Sequence, residues 1–289
     1  MSDYVIFTDS ACDISKEILS RWGVKVLSLS YRLSDDETTY YDEDADIKEF
    51  YEIMRAGGIA KTAGVNPDEF IAAFDEVLAS GDDVIYIGFS SGLSTTFNSA
   101  RIARDYLSRK YPERRIITTD SLCASAGLGL ILYLVSDMAQ GGASIDDIVD
   151  FIENNRLKIC HWFTVSDLIY LKRGGRISLA SAFVGNMLGI KPILHVDNKG
   201  HLIPVSRVRG RRASILALLD SYLKYRKNNT SRDTVFISHA DCKEDAEMLA
   251  SMIKEKCGVE VSLITSVGAV IGAHSGPGTL AIFFVGEER

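Results

Sequence analysis

The sequence predicts an α/β protein in two parts. The first is an N-terminal Rossmann-like domain on a parallel sheet; the second is a C-terminal α+β domain on a mixed or antiparallel six-stranded sheet. Three observations carry this reading. Short β-rich runs alternate with amphipathic stretches through the first half. Six further β-rich runs occur in the second half, two of them joined by the turn Asp197-Asn198-Lys199-Gly200. At 289 residues, with 46% hydrophobic and 25% charged residues, the chain has length and apolar content for two packed domains. The boundary is placed between residues 157 and 158. No low-complexity linker separates the halves, so residues 1–157 and 158–289 are expected to pack tightly.

In the first half, Tyr4 to Thr8 is a β-rich run ending in Asp9-Ser10, followed by an amphipathic stretch from Ile14 to Trp22. Val24 to Tyr31 alternates like one strand. Ser34 to Asp46 is acidic and reads as a surface excursion into a helix over Ile47 to Ala56, stopped by Gly57-Gly58. Lys61-Thr62-Ala63-Gly64 reads as a loop. The next helix starts with Asn66 as N-cap, Pro67 at the first helical position and Glu69 closing a capping box. Asp83 to Ile87 and Arg115 to Thr118 are strands. Each leads through serine-rich residues into a helix, and Ile145 to Asn155 is a further helix.

In the second half the strands are Trp162 to Val165, Pro192 to Val196, Leu202 to Val208, Val235 to His239, Val259 to Thr265 and Thr279 to Val285. Helices are expected at Leu179 to Leu188, Ala213 to Arg226 and Lys243 to Lys256.

Several function classes are disfavoured. A net charge of −7 argues against nucleic-acid binding, which needs a basic face over most of a domain. The N-terminus lacks the basic and apolar regions of a signal peptide, and no apolar run approaches the ~20 residues that span a bilayer. The five cysteines are scattered without Cys-x-x-Cys spacing, which suits a reduced cytoplasm and speaks against zinc. There is no Gly-Lys-Ser/Thr and no Gly-x-Gly-x-x-Gly after the first strand, so no nucleotide cofactor is expected.

In a doubly wound sheet, ligands bind beyond the carboxyl ends of the strands, where helix N-termini offer free N–H groups. Thr8-Asp9-Ser10 and Thr119-Asp120-Ser121 repeat one signature there. Ser90, Ser91 and Ser94 form a third cluster, and Thr62 lies in a separate loop. Each residue could simply cap a helix. Converging on one sheet edge without a nearby lysine, they suit a small oxyanion such as a carboxylate. Ser10, Ser91 and Ser121 are then accessory candidates of that head-group loop.

A rival reading is a serine hydrolase. Gly88-Phe89-Ser90-Ser91-Gly92 matches Gly-x-Ser-x-Gly between a strand and a helix, with Ser90 as nucleophile and His239 or His274 downstream. That fold places several strands before its elbow, whereas only about two precede Asp83 here. His274 sits among glycines in Gly272-Ala273-His274-Ser275-Gly276-Pro277-Gly278, read as a loop where backbone can approach a ligand. His161, His195, His201 and His239 lie in or beside strands, where packing explains them. From Lys172 to Arg212 there are nine basic residues and one acidic residue, Asp197. Against an acidic chain, this suggests a docking surface for an acidic partner or phosphorylated ligand. Within it, Leu179, Phe183, Val184, Met187 and Leu188 make one apolar helical face, suited to core packing or to a movable cover over a lipid-like chain.

Together these segments resemble the DegV family, bacterial fatty-acid-binding subunits of fatty acid kinase. The resemblance rests on Thr8-Asp9-Ser10, Lys61-Thr62, Ser90-Ser91-Gly92-Leu93-Ser94 and Thr119-Asp120-Ser121. It continues through Tyr170-Leu171-Lys172-Arg173-Gly174-Gly175-Arg176-Ile177, Lys191-Pro192-Ile193-Leu194 and His274-Ser275-Gly276-Pro277-Gly278. It implies the DegV fold and a long-chain fatty acid buried between the domains, its carboxylate held by Thr62, Ser94 and His274. It implies a partner kinase subunit that phosphorylates this carboxylate to an acyl phosphate for phospholipid synthesis. The chain itself would then be a cytoplasmic, non-catalytic protein without cofactor, making at most transient membrane contact for lipid exchange. Arg173, Arg207 and Arg209 would fall at the docking and phosphate-facing positions. A sensor of a small carboxylate, without a kinase partner, is the remaining alternative.

One departure stands out. The family's usual Ser-Gly-Thr is here Ser94-Thr95-Thr96, a β-branched residue in place of glycine that could shift the head-group geometry. The resemblance fits the residues physically. A carboxylate buried without Lys or Arg needs several hydrogen bonds, and two hydroxyls, an imidazole and helix N–H groups can supply them.

Overall fold

The computed structural model describes residues 4–34, 36–177, 189–227 and 233–289. The helix expected over Leu179 to Leu188, with its apolar face, lies outside the described residues.

The first sheet is parallel and four-stranded. It contains β1 (Tyr4–Asp9), β2 (Val24–Leu27), β6 (Asp83–Gly88) and β7 (Ile116–Asp120) in the order β2-β1-β6-β7. β1 leads to β2 on one side, while β6 and β7 extend the sheet on the other. The strand order therefore reverses between β1 and β6, the position where parallel sheets open a crevice. α1 (Lys16–Arg21) follows β1. α3 (Pro67–Ser80) and α4 (Thr96–Lys110) pack on each other and against β6. The capping box at α3 forms as expected: Asn66 Oδ1 accepts from Glu69 N–H at 3.1 Å, and Glu69 Oε2 accepts from Asn66 N–H at 2.7 Å.

Between β2 and β6 the chain builds a small second sheet. β3 (Ser30–Leu33), β4 (Tyr40–Tyr41) and β5 (Ala60–Ala63) pair antiparallel in the order β4-β3-β5, with α2 (Ile47–Arg55) intervening. Two expectations are corrected here. Val24 to Tyr31 is not one strand, because the chain breaks at Ser28-Leu29, where Ser10 Oγ accepts the Leu29 N–H at 3.0 Å. Lys61 to Gly64 is not a loop, because Thr62 pairs with Tyr31 in the second sheet.

The third sheet is six-stranded and mixed. It comprises β8 (Ile159–Thr164), β9 (Ile190–Val196), β10 (Leu202–Arg209), β11 (Val235–His239), β12 (Leu263–Ser266) and β13 (Leu280–Val285). The order is β10-β9-β8-β13-β11-β12, with only β11 and β12 parallel. β12 begins at Leu263, so the run from Val259 is strand only at its end. Val259 is buried, but it packs in the core ahead of the strand.

α5 (Ala126–Gln140) explains its own sequence. It is apolar nearly all round because it packs against β8, β11 and β13 within the main core, and each fully buried leucine there contributes roughly 1.5–3 kcal/mol. Gly127 is required, because a Cβ there would overlap the His161 ring. α6 (Ile145–Asn155) packs beside α5. α8 (Arg211–Tyr225) and α9 (Lys243–Cys257) cover the opposite face of the six-stranded sheet.

Two short helices escape sequence reading. α7 (Ile169–Arg173) has a single turn, and α10 (Ala269–Ser275) replaces the loop expected around His274. α10 is held from outside its own segment. Asp13 Oδ1 accepts the Gly268 N–H and Asp42 Oδ1 the Val270 N–H, each at 2.9 Å. Burial pushes Asp42 up to about 6, and burial together with the Asp42 charge holds Asp13 well above the carboxylate range.

Candidate binding site

A cavity of about 500 Å³ opens between the parallel and six-stranded sheets. Its apolar wall includes Leu29, Phe89, Leu93, Phe163, Leu171 and Phe283. That volume and composition suit an elongated apolar ligand.

A polar cluster around His274 joins this lining. Thr62 on β5 and His274 on α10 meet, Oγ1 to Nε2, at 2.8 Å. Burial, with the Arg176 cation adding to it, lowers the His274 pKa to about 4, so the imidazole is neutral at pH 7. Among the described residues its buried Nδ1 has no hydrogen-bond partner, and it is packed where a Cβ on Gly174 would overlap it. The proton is therefore assigned to Nε2, which donates to Thr62 Oγ1 and leaves the Thr62 O–H free to donate to a ligand.

Ser94 completes the cluster at the turn before α4. Its Oγ lies 2.9 Å from Thr96 Oγ1 and 3.2 Å from Thr96 N. Gly64, two residues after Thr62, is required here, because a Cβ would press on the Thr96 hydroxyl and reach Ser94 Oγ. The end of β5 and the Ser94 turn are thus packed together. Ser91 and Ser275 also line the cavity, and the buried Ser275 Oγ has no hydrogen-bond partner among the described residues.

Other candidates are placed elsewhere. Ser10 and Ser121 do not line the cavity, which corrects their reading as head-group residues. Ser10 Oγ donates to Asp42 at 2.9 Å, and the fully buried Ser121 Oγ donates to the Gly88 carbonyl at 2.7 Å. The crevice between β1 and β6 is filled by Asp9, whose Oδ2 accepts the Phe89 N–H at 2.9 Å and the Tyr86 O–H at 2.5 Å. Ser90 is fully buried, with Oγ donating to the Gly200 carbonyl at 2.9 Å. Among the described residues no imidazole hydrogen-bonds to it, so the base that a serine nucleophile needs is lacking there. Arg173 on α7 and Arg207 and Arg209 on β10 are exposed.

The cradle also contains a cation the sequence reading left out. Arg176 lines the cavity, donating from Nε to the Leu93 carbonyl at 3.1 Å and from Nη1 to the Gly174 carbonyl. The signal was present as the last residue of Leu-Lys-Arg-Gly-Gly-Arg, but spacing did not show which arginine turns inward.

Comparison with known proteins gives the family. The DegV family, described as uncharacterised proteins, matches residues 3–287. The chain belongs to the DegV family. It is 43% identical to a DegV domain-containing protein of Clostridium perfringens, over 100% of this chain and 99% of that one. The solved structure of DegV from Bacillus subtilis, described as a fatty acid binding protein, superposes with a TM-score of 0.82 at 29% identity, over 99% of this chain and 100% of that one. A DegV family protein from Thermus thermophilus, described by its fatty acid binding, gives 0.86 at 26% identity, over 98% and 99%. The resemblance read from the motifs is thus borne out at the level of family and fold.

Within this DegV chain, the departure at Thr95 is conformationally ordinary. Its φ of −80° and ψ of −5° lie in the right-handed helical region open to any residue, so the side chain imposes no backbone strain.

Proposed function

We propose that this chain binds a long-chain fatty acid in the cavity, with the carboxylate at Thr62, Ser94 and His274. The observation that carries the reading is the junction of a largely apolar cavity of about 500 Å³ with a hydroxyl–imidazole cluster beside Arg176. A carboxylate there receives the Thr62 and Ser94 hydroxyls in a neutral-imidazole setting, with the guanidinium reducing the cost of burying its charge. The alkyl chain contributes about 0.8 kcal/mol per buried CH₂. The fatty acid binding described for the Bacillus subtilis and Thermus thermophilus relatives supports the same ligand class.

In the finer form of this reading, the chain acts in the cytoplasm and does no chemistry of its own. Residues 1–157 and 158–289 act as two domains that share the head-group site. A separate kinase subunit phosphorylates the carboxylate to an acyl phosphate, docking through the exposed Arg173, Arg207 and Arg209. Lipid exchange involves at most transient membrane contact; among the described residues no helix is long and apolar enough to cross a membrane.

The test is mass spectrometry of protein purified natively and then denatured. Release of a stoichiometric long-chain fatty acid is expected, and a lipid-free protein that also fails to take up added fatty acid would overturn the reading. Arg173→Ala should weaken capture of the kinase subunit while the fatty acid remains bound.

A further inference from the structure

We propose that the cavity holds a second polar site, Ser125 and Ser238 backed by Asp13, which receives a hydroxyl group carried on the acyl chain. This rests on the fatty-acid reading above and narrows its ligand class to hydroxylated long-chain fatty acids.

Ser125 precedes α5 and Ser238 lies within β11. Both line the cavity, and they are 6% and 0% exposed. Their Oγ atoms are 3.0 Å apart, and Ser125 Oγ donates to the Asp13 carboxylate. With Asp13 ionised and the Ser125 proton committed to it, Ser238 donates to Ser125, and its own oxygen accepts nothing among the described residues. Beside it across the sheet, the lining continues with Ala281, Phe163 and Phe283. His161 shares the lining without adding a free polar atom, since Nε2 accepts from Ala124 N–H at 3.3 Å and Nδ1 bonds the Ile159 carbonyl at 2.9 Å.

A methylene chain cannot use the Ser238 oxygen, whereas a hydroxyl can donate to it. If Asp13 holds a proton, the chain of hydrogen bonds reverses and Ser238 donates to the ligand instead. A hydroxyl both donates and accepts, so it is met in either state.

Neither serine is explained by packing. Ser238 pairs across the sheet with Ala281, another lining residue, where the same small volume is supplied without a polar atom. Ser125 is held at φ 52° and ψ −146°, a region natural to glycine and strained for serine. Among the described residues the pair shares no hydrogen-bonding partner with Thr62, Ser94, His274 or Arg176, so it marks a separate station along the cavity.

The test uses delipidated full chain, stearate and a series of monohydroxystearates with the hydroxyl moved along the chain, in equilibrium binding. Wild type should bind one isomer, or a few neighbouring ones, at least as tightly as stearate and the rest about tenfold more weakly. In Ser238→Ala the ratio of favoured-isomer to stearate affinity should fall about tenfold. Ser125→Gly, which suits the backbone there, should lower the same ratio, and near-UV circular dichroism verifies that both variants fold. Uniform rejection of all isomers by wild type, or an unchanged ratio in both variants, overturns the proposal. Failure of stearate and every isomer to bind wild type overturns this proposal together with the fatty-acid reading beneath it.

Discussion

Thr62 and His274 touch side chain to side chain, Oγ1 to Nε2 at 2.8 Å, although 212 residues separate them. One comes from the small antiparallel sheet and the other from a helix ahead of the last strand. Each fixes the other's hydrogen-bonding role, since the imidazole donates and the hydroxyl proton is left to face the ligand. Thr62→Val and His274→Ala should each weaken fatty-acid binding by about tenfold to a hundredfold, the range for a hydrogen bond to a charged group. The double variant should lose less than the sum, because the pair acts as one unit. Titration of delipidated protein with a fluorescent fatty acid measures all three.

The imidazole makes stability pH-dependent with a definite sign. His274 has a folded-state pKa lowered to about 4, so below the unfolded value near 6.5 the unfolded chain binds a proton that the folded one refuses. Its contribution is therefore intact above that pH and is lost as pH falls toward 4. Asp9 and Asp42, pushed up to about 6 by burial, act in the opposite sense and add stability as pH falls through that value. Comparing wild type with His274→Gln isolates the histidine. Between pH 7 and pH 5 the wild type should lose about 1–2 kcal/mol more than the variant in denaturant unfolding.

Arg176 and Arg173 should separate cleanly although they stand three residues apart. Arg176→Gln removes a cation that helps to depress the His274 pKa, so that pKa should rise, read from the imidazole proton shifts in a pH titration by NMR. Fatty-acid affinity should fall in the same variant. Arg173→Gln, on the exposed side of α7, should leave both readouts unchanged.

What could be read from the residues follows from how local each signal is. The Asn66-Pro67-Glu69 start of α3 is decided by neighbours in sequence, and it formed as written. The largely apolar α5 is local in the same way, because burial between layers leaves only a few exposed positions such as Tyr133, Asp137 and Gln140. β5 could not be seen, since Thr62 pairs with Tyr31 and nothing in Lys61 to Gly64 alternates in polarity. α10 was hidden by Gly268, Gly272, Gly276 and Gly278, which look like loop residues. Its first turn is tied down by Asp13 and Asp42 from distant segments, and a Cβ on Gly272 would overlap the Tyr51 hydroxyl. The inward turn of Arg176 depends on the Gly174-Gly175 bend, where Gly175 takes φ +67°.

That bend also allows the sharpest test of the head-group geometry. Gly174 has ordinary helical dihedrals, φ −70° and ψ −13°, so alanine is tolerated by its backbone. Only the space beyond it is forbidden, because the new Cβ would overlap His274 Nδ1. Gly174→Ala should therefore push the imidazole off Thr62 without unfolding the chain. Fatty-acid affinity should drop about as far as in His274→Ala, roughly tenfold or more. Combining Gly174→Ala with His274→Ala should then add almost nothing, because the atom that the Cβ displaces is already gone. Binding that survives Gly174→Ala at wild-type strength would mean that the imidazole does not set the head-group geometry.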